Sequence, residues 1–360
     1  MKKLLFISNG HGEDLVAAEI IKRLAGKAEI SVLPIVGQGQ AFEGLKAKIL
    51  GPRKKLPSGG FSLRNLLYLF KDISSGLIGS TLKQIRLLRK LKNNFDLTVA
   101  IGDIVPIIGA RFIKAPYFFI GVNKTDYYKW FGFHYTAWEK LLLRRSALKV
   151  YVRDKLTETN LKTRGIKVPQ AEYVGNPLMD CFTLPKQRIR ESDTKIIGFL
   201  PGTRSDAHLN MQDFEKIITE IIKLKNSDYG LKFITATTLD KIPAYMENMP
   251  FGAVLANSDL IIGLSGTGNE QAAGAGVPLI SFYGRGSQYT EKFAKAQKQL
   301  LGDALHLISE SDPLSIAAEV WHLLRNPAAL KRMSQAGRQR MGKSGAADII
   351  SEYIKQFIQR

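Results

Sequence analysis

The sequence contains a single cysteine, Cys181, among 360 residues, and this excludes an intramolecular disulfide framework and a cysteine-based metal cluster. It also lacks a charge-free run of about 18 apolar residues, so we predict no transmembrane helix. Only about five apolar residues follow the basic opening MKK, which is too few for a signal peptide. Together these absences predict a protein of the reducing cytoplasm.

Acidic residues are scarce in the first half of the chain. Residues 1–180 contain 30 Lys and Arg against 14 Asp and Glu, a net charge of +16, whereas residues 181–360 contain 22 against 18, a net charge of +4. Such an excess favours an anionic partner, and nucleic acid, an anionic membrane surface or a phosphorylated substrate would each satisfy it. General solubilising surface charge is the remaining alternative.

Short apolar runs alternate with amphipathic segments along most of the chain. KLLFIS precedes DLVAAEIIKRL, and the alternation restarts after Asp180 with KIIGFLPG and DFEKIITEIIKL. This order is typical of βαβ units around parallel sheets, and the length suits two domains. We predict an α/β protein with two Rossmann-like domains, residues 1–175 and 176–340, that meet near GNPLMD. A C-terminal helix at 341–360 is predicted to return to the first domain.

Two segments depart from this alternation. Residues 61–92 combine a broad apolar face with several basic side chains, and residues 124–146 place a dense group of aromatics among basic residues. Apolar and aromatic side chains beside Lys and Arg suit an interfacial membrane contact, which we assign to residues 46–92 and 124–146. The alternative is a buried helix pair with an aromatic core.

The loop SNGHGED follows the first predicted strand. Its small residues allow a tight turn into a helix whose first N–H groups can hold an anion, but its spacing is not G-x-G-x-x-G. A dinucleotide fingerprint is therefore not supported. His11, Glu13 and Asp14 are candidate acid or base groups at a strand end. The alternative for Asp14 is a helix cap, the more frequent use of an acid there.

Asp103 in AIGDIVP comes just after another predicted strand. Its carboxylate is placed to accept a proton from an attacking hydroxyl. The alternative is an N-cap for the segment that begins before Val105 and Pro106, and the spacing alone favours this cap.

Two glycine-bearing loops follow strands in the second half. In FLPGTRSD, Thr203 offers a hydroxyl and Arg204 a charged fork suited to phosphate oxygens. In SGTGNEQAAGAGVP, residues 265–278, glycines allow backbone N–H groups to approach a phosphate at the start of a helix. Glu270, one turn into that helix, can accept two hydrogen bonds from a vicinal diol such as a ribose. The two loops together predict a nucleoside diphosphate site.

The order of these motifs resembles the lipid-A-disaccharide synthases. The resemblance lies in PGTRSD, in VGNPLMD at the predicted junction and in the SGTGNE loop with the G-x-P strand after it, and it covers nearly the whole chain. GNPLMD, VYVRD and SQYTEKFAKAQKQLLGD are similar to a divergent, synthase-related branch. The resemblance implies a GT-B fold, in which two Rossmann-like domains face a central cleft and C-terminal helices pack back toward the first domain.

The same resemblance implies a chemistry. A sugar, of the N-acetylglucosamine type, would pass with inversion from a UDP-sugar donor to a membrane lipid-linked acceptor. The family needs no metal and no separate cofactor, and it associates peripherally with the membrane. We therefore expect a UDP-sugar, a lipid-linked acceptor and an anionic membrane surface as partners, and no nucleic acid.

The resemblance also implies roles for individual residues. The donor diphosphate would lie near two groups of residues: Gly202, Thr203 and Arg204, and Ser265, Gly266 and Thr267. Glu270 would bind the ribose, Gln288 the donor sugar, and Asp103 stands at the position of the family's catalytic aspartate, which favours the base over the cap.

The first loop departs from the family pattern. It reads GHGED, in which Asp14 alone aligns well. Gly12, Glu13 and Asp14 are accordingly assigned to the acceptor loop, and His11 is the alternative to Asp103 as the base.

Two other functions fit parts of the sequence. A UDP-sugar 2-epimerase would share the architecture and the donor site, but it has no need of the apolar and basic surface at residues 61–92. A non-catalytic protein that binds a sugar nucleotide or nucleic acid could use the basic half as an electrostatic surface. Nucleic-acid binding would leave the glycine loops of the second half unexplained.

Overall fold

The computed structural model describes residues 1–10, 12–36, 38–51, 77–128, 134–187, 193–225, 229–286 and 288–359. The chain forms two compact units. Unit 1 consists of Met1–Asp126, Trp130–Cys181 and Ser344–Arg360, and unit 2 of Tyr127–Lys129 and Phe182–Lys343. The predicted boundaries at 175/176 and 340/341 lie a few residues before those of the structure.

Unit 1 contains a seven-stranded parallel sheet with the order β3-β2-β1-β4-β5-β6-β7. Its strands are β1 (Lys3–Ser8), β2 (Glu29–Pro34), β3 (Lys48–Ile49), β4 (Leu97–Ile101), β5 (Tyr117–Ile120), β6 (Ala147–Tyr151) and β7 (Ala171–Glu172). The central strands β4 and β5 are buried along their whole length, as expected for a parallel sheet covered on both faces.

The helices of unit 1 are α1 (Gly12–Arg23), α2 (Leu77–Lys90), α3 (Ile104–Ile113), α4 (Ala137–Ser146), α5 (Lys155–Thr163) and α12 (Ala346–Gln359). Short 3₁₀ helices cover Gln40–Phe42 and Pro177–Asp180. Side-chain caps fix where several helices begin. Thr136 and Glu139 form a capping box at α4, and Asp154 accepts from the Thr157 N–H at α5.

The C-terminal helix α12 belongs to unit 1. Asp180 accepts hydrogen bonds from the backbone N–H groups of Gly345, at 2.5 Å, and Ala347, at 2.8 Å, which satisfies donors at the helix start. Farther along the helix, Phe357 meets Phe118 of β5 edge to face. Of the C-terminal helices, only this last one lies in unit 1, since the preceding helix is part of unit 2.

Unit 2 contains a six-stranded parallel sheet with the order β10-β9-β8-β11-β12-β13. Its strands are β8 (Thr194–Leu200), β9 (Gly230–Thr235), β10 (Met246–Asn248), β11 (Leu260–Gly263), β12 (Leu279–Ser281) and β13 (Leu305–Leu307). Its helices are α6 (Ala207–Lys223), α7 (Phe251–Asn257), α8 (Thr267–Ala275), α9 (Glu291–Leu301), α10 (Pro313–Leu324) and α11 (Pro327–Met341), with a 3₁₀ helix at Gly302–Ala304.

Each sheet reverses its strand order once. In unit 1 the chain moves outward from β1 to β3 and then crosses to β4 on the other side of β1; in unit 2 the same happens between β8 and β11. At each reversal two neighbouring strands, β1 and β4 or β8 and β11, are followed by loops that run to opposite faces of the sheet. Open α/β sheets bind ligands in the crevice between two such loops. Both crevices are formed by loops that the sequence singles out. Across the described residues, every helix is too short or too polar to span a bilayer.

Candidate functional site

The crevice of unit 1 lies between the loops that follow β1 and β4. Ser8 pairs with Ile101 in register, so the two loops leave the sheet side by side. Gly102 has a φ of +129°, and a Cβ there would lie 3.3 Å from both Asn9 Cβ and Glu13 Cγ. Only glycine fits this approach without strain.

Asp103 uses its two carboxylate oxygens differently. Oδ1 accepts from the Val105 N–H at 3.0 Å, which caps α3, and Oδ2 accepts from Asn9 Nδ2 at 3.0 Å. Burial raises the pKa of Asp103, while the Val105 N–H, the positive charge of Lys124 and the Asn9 amide each oppose this rise. The carboxylate is thus the predicted helix cap, and Oδ2 keeps lone-pair capacity for a proton.

Asp14 is buried and bonded to the protein's own groups. It accepts a hydrogen bond from the Ser8 hydroxyl, and burial raises its pKa from the usual 3.8 to about 6. Its position in the first turn of α1 and its contact with a strand residue make it a structural link at this strand end.

Glu13 is the second buried carboxylate of the first loop, and Gly12 begins α1. Glu13 Oε1 accepts from the side-chain amide of Asn123, which follows β5. One edge of the sheet of unit 1 therefore brings together Gly12, Glu13, Asp14 and Asp103. His11, the alternative base, lies outside the described residues.

Lys124 is a charged residue of this crevice that the sequence analysis placed only in the proposed membrane segment 124–146. Its Nζ lies 2.6 Å from Glu139 Oε2 and 3.1 Å from the His134 carbonyl oxygen. Its charge also favours the ionised form of Asp103. Asn9 was likewise missed, although a polar residue directly after a buried strand is a signal that could have indicated it.

The crevice of unit 2 lies between the PGTR loop after β8 and the SGTG loop after β11. Leu200 pairs with Gly263 in register, so these loops also leave the sheet together. Gly202 has a φ of +82° and a Cβ there would lie 3.5 Å from the Leu264 carbonyl oxygen. The left-handed conformation explains why glycine occupies this turn.

The start of α6 holds the PGTR loop and the loop of Gln288. Asn210, buried, donates from Nδ2 to the Pro201 carbonyl oxygen at 2.9 Å. Asp206 Oδ2 accepts from the Gln288 backbone N–H at 2.8 Å. The side chain of Thr203 is exposed and that of Arg204 half-buried. The structure therefore brings Gln288 to the same edge of the sheet as the PGTR loop.

An ion pair also fixes the Gln288 loop. Arg285 approaches Asp213 of α6 with Nε at 2.9 Å from Oδ2 and Nη2 at 2.7 Å from Oδ1. This paired geometry is more directional than a single lysine contact. Asp206, Asn210 and Asp213 recur along one side of α6, so one helix face positions both loops.

The SGTG loop leads directly into α8. Gly266 is the N-cap residue and Thr267 the first helical residue. The first N–H groups of α8, which have no acceptor within the helix, therefore lie next to Ser265. Glu270 is buried one turn into the helix. Backbone donors and the helix dipole at this end favour a bound anion.

A buried polar network supports the SGTG loop from behind. Gln297 of α9 donates from Nε2 to the carbonyl oxygens of Ser265, at 3.1 Å, and Gly266, at 2.9 Å. Asn269 and Tyr289 contact the Gln297 side chain. The sequence analysis missed this network because Gln297 lies about thirty residues after the loop. The pattern of apolar residues along α9 does not indicate that a polar side chain of this helix contacts the loop.

No protein-family model matches the chain, and no curated protein sequence is significantly similar to it. Solved structures are similar to it over nearly their whole length. The S. aureus MnaA–UDP structure has a TM-score of 0.66 at 15% identity and covers 100% of this chain and 97% of that one. CalG4, the calicheamicin glycosyltransferase, has 0.65 at 16%, with 100% and 99% covered.

A third similar structure is the Neisseria meningitidis UDP-GlcNAc 2-epimerase bound to UDP-GlcNAc. It has a TM-score of 0.57 at 16% identity and covers 98% of this chain and 100% of that one. The chain therefore has the GT-B architecture of two Rossmann-like α/β domains, as the sequence predicted. This architecture is common to glycosyltransferases and UDP-GlcNAc 2-epimerases.

Proposed function

We propose that the protein is a glycosyltransferase that moves a sugar of the N-acetylglucosamine type from a UDP-sugar to a lipid-linked acceptor, with inversion and without a metal. The observation that carries the proposal is the placement of the two glycine loops, PGTR and SGTG, at the crevice of the unit 2 sheet. The occurrence of UDP and UDP-GlcNAc in similar structures supports it.

Unit 2 would bind the donor. Gly202, Thr203 and Arg204 on one loop, and Ser265, Gly266 and Thr267 on the other, would hold the diphosphate. Backbone N–H groups, the α8 dipole and the Arg204 charge would stabilise UDP as it leaves, which is electrostatic preorganisation. Glu270 would accept hydrogen bonds from the ribose, and Gln288 would contact the donor sugar.

Unit 1 would supply the base. The acceptor hydroxyl oxygen would form a bond to the anomeric carbon while the bond from that carbon to the phosphate oxygen breaks. The hydroxyl proton would pass to Asp103 Oδ2, whose neighbours Asn9 and Lys124 favour the ionised carboxylate. His11 is the alternative base, and the loop of Gly12, Glu13 and Asp14 would line the acceptor side.

A lipid-linked acceptor fits the surface next to Asp103. Helix α3 begins at the residue after Asp103 and exposes Val105, Ile108 and Phe112, whose exposed fractions are 41%, 44% and 38%. Together with Leu142 of α4, Ile108 and Phe112 line a shallow apolar depression. The sequence analysis made no prediction for this side of α3.

The helices α3 and α4 also carry exposed basic side chains, and Arg111 lines the same depression. Arg111 and Lys114 are exposed on or just after α3, and Arg144 and Arg145 are exposed at the end of α4. Trp138 of α4 is 74% exposed. Exposed aromatic and apolar side chains on helices that also expose Lys and Arg suit the interface of an anionic bilayer, so we propose peripheral association with the cytoplasmic membrane face.

The membrane segments proposed from the sequence are only partly described. Of residues 46–92, positions 52–76 lie outside the described residues, and of residues 124–146, positions 129–133 do so. In the described part of residues 124–146, Trp138 and the basic end of α4 are exposed, whereas Tyr128 and Tyr135 are buried, as the alternative of an aromatic core expected. Residues 105–112 were not part of the sequence proposal.

A UDP-GlcNAc 2-epimerase is the second candidate, favoured by the fold it shares with the Neisseria enzyme. Epimerisation needs no acceptor and gives no reason for an exposed apolar helix beside Asp103. The two functions differ in their products. Epimerisation yields a 2-epimeric UDP-sugar without any acceptor, whereas transfer releases UDP only when an acceptor is present.

The deciding experiment incubates the protein with UDP-N-acetylglucosamine carrying a radiolabelled sugar, with and without bacterial membrane lipids. Transfer predicts label in the lipid fraction and one UDP per labelled lipid. Label in a 2-epimeric nucleotide without lipid would support the epimerase. Binding of a DNA duplex with no stabilisation by UDP would contradict both and indicate a nucleic-acid-binding protein.

A further inference from the structure

Gln297 is a buried side chain that reaches the SGTG loop from the side of the core. It lies on α9 with 1% of its surface exposed. Its Nε2 donates to two consecutive backbone carbonyl oxygens, Ser265 O at 3.1 Å and Gly266 O at 2.9 Å. One amide group therefore holds two peptide units of the loop.

The orientation of the Gln297 amide follows from its other partners. Its Oε1 lies 2.8 Å from Asn269 Nδ2 and 2.6 Å from the Tyr289 hydroxyl, both of which can donate. Burial raises the pKa of Tyr289 far above neutral pH, so its hydroxyl keeps the proton. Because backbone carbonyls can only accept, Nε2 must face the loop.

Fixing these carbonyls also fixes the N–H groups of the next residues. In a trans peptide the C=O of one residue and the N–H of the following residue lie in one plane and point in opposite directions. The Ser265 carbonyl thus sets the direction of the Gly266 N–H, and the Gly266 carbonyl that of the Thr267 N–H. Both N–H groups point away from Gln297 and the core.

Successive N–H groups that point outward at a helix start form a concave site for an anion. We propose that Gln297 is a positioning residue that turns the Gly266 and Thr267 N–H groups toward the phosphates of a nucleoside diphosphate. The inference rests on the proposed donor site of unit 2. Gln297 itself would not touch the donor.

The SGTG loop is closely packed where it enters α8. A Cβ on Gly268 would lie 2.7 Å from Ser265 Oγ, so the helix start is packed closely on its inner side. Asn269, which is fully buried, also lies 3.0 Å from the Gly263 carbonyl oxygen at the end of β11. The network thus connects strand, loop and helix, and the loop has little freedom to turn its peptides without losing these bonds.

The test replaces Gln297 by glutamate, which keeps the size but presents oxygen to the two carbonyls. We expect the Gln297→Glu variant to bind UDP at least about tenfold more weakly, because the peptide units of the loop no longer face Gln297. Binding of uridine, which has no phosphate, should stay within about twofold of the wild type. A purely structural defect would weaken both ligands alike.

Tyr289→Phe is the matched control, since it removes one contact to Oε1 and leaves both Nε2 bonds. It should bind UDP within about threefold of the wild type. Gln297→Met, which lacks the donor but carries no charge, should reproduce the loss seen with glutamate. Should neither Gln297 variant fold, ¹H–¹⁵N spectra of the wild type test the premise that these N–H groups face the phosphates, because UDP should then shift the Gly266 and Thr267 N–H resonances and uridine should not.

Several outcomes would overturn the inference. They are equal UDP affinity in wild type and both Gln297 variants, equal losses for UDP and uridine, or unshifted Gly266 and Thr267 resonances in a wild type that binds UDP. A wild type that binds neither UDP nor UDP-N-acetylglucosamine would instead overturn the proposed donor site itself. The two failures are therefore distinguishable.

Discussion

Asn9 Nδ2 lies 3.0 Å from Asp103 Oδ2, and this hydrogen bond joins the two strand ends at the crevice of unit 1. The other carboxylate oxygen of Asp103 caps α3 through the Val105 N–H. The carboxylate is therefore held at both oxygens, which fixes its rotamer. Capping and proton transfer are compatible roles because they use different oxygens.

The first prediction concerns Asp103 itself. Asp103→Asn keeps an oxygen for the Val105 N–H and should change stability by less than about 1 kcal/mol, the usual scale of a cap. It removes the base, so transfer to the lipid acceptor should fall at least about a hundredfold. UDP binding should not change, since the donor loops lie in unit 2. Lipid labelling at a single time point measures the turnover, and UDP titration measures donor binding. Normal turnover in the variant would assign the base to another residue, and His11 would be tested next.

The second prediction concerns the pH dependence of turnover. The base must be ionised, so activity should rise with pH through the pKa of Asp103. The Asn9 amide favours the ionised form and lowers that pKa, so its removal must raise it. In Asn9→Ala the acidic limb of the rate profile should therefore move to higher pH. The control is Asn123→Ala, which removes an amide that donates to Glu13 and not to Asp103. The acidic limb of its rate profile should stay in place. Equal shifts in both variants would contradict a specific role for Asn9.

Much of the fold could be predicted from the sequence because it depends on local periodicity. The runs KLLFIS and KIIGFLPG are apolar enough to be central strands, and each is followed by an amphipathic helix, so the α/β class and its two halves follow from pattern alone. The exposed side of α3 could not be predicted in this way. Its apolar residues surround the helix, and only the packing decides which of them remain uncovered.

Part of the candidate site could likewise be predicted from the sequence, and part of it could not. Loops such as PGTR and SGTG carry small and charged residues directly after strands, and that order is visible in a linear sequence. Asn9, Lys124 and Gln297 act through long-range contacts, in which Gln297 meets a loop some thirty residues earlier. Asn9 at least follows a buried strand directly, but nothing in the residues next to Lys124 or Gln297 distinguishes them from ordinary polar positions, so the roles of these two needed the fold.

The third prediction concerns Asp14 and stability. Its folded pKa of about 6 lies above the usual 3.8, so the folded state binds the proton more tightly than the unfolded state. The resulting stabilisation is fully present below pH 3.8 and is lost as the pH rises through 6, by about 3 kcal/mol. Asp14→Asn removes this dependence. Urea unfolding at pH 4, 5 and 7 should show the wild type losing more stability than the variant over this range.

A matched control for Asp14 is Glu43→Gln, which makes the same acid-to-amide change at an exposed position of unit 1. Its free energy of unfolding should follow the wild type across the range. Parallel pH curves for wild type and Asp14→Asn would show that Asp14 keeps an ordinary pKa in the folded protein.

The fourth prediction concerns the ribose. Glu270→Gln keeps the volume of this buried side chain but removes its charge. Hydrogen bonds to a charged group contribute about 1.5–3 kcal/mol, so UDP affinity should fall about tenfold to a hundredfold. Pyrophosphate, which has no ribose, should bind variant and wild type equally. Calorimetric titration with both ligands measures this, and a variant that loses pyrophosphate as strongly as UDP would contradict a ribose contact.

The fifth prediction concerns the apolar side of α3. Ile108 and Phe112 are exposed, so Ile108→Ser and Phe112→Ser should leave the thermal midpoint nearly unchanged. If this side contacts a bilayer, the double variant loses apolar area and should bind vesicles of anionic phospholipid at least about tenfold more weakly.

Ile349→Ser is the matched control, since Ile349 is exposed to a similar degree on α12 of the same unit. Its vesicle binding should match the wild type in sedimentation assays. Because α3 begins directly after Asp103, the double variant should also slow transfer to an acceptor in vesicles while leaving transfer to a detergent-dispersed acceptor unchanged. Equal slowing of both would mean that α3 acts through the fold of the crevice and not through the membrane.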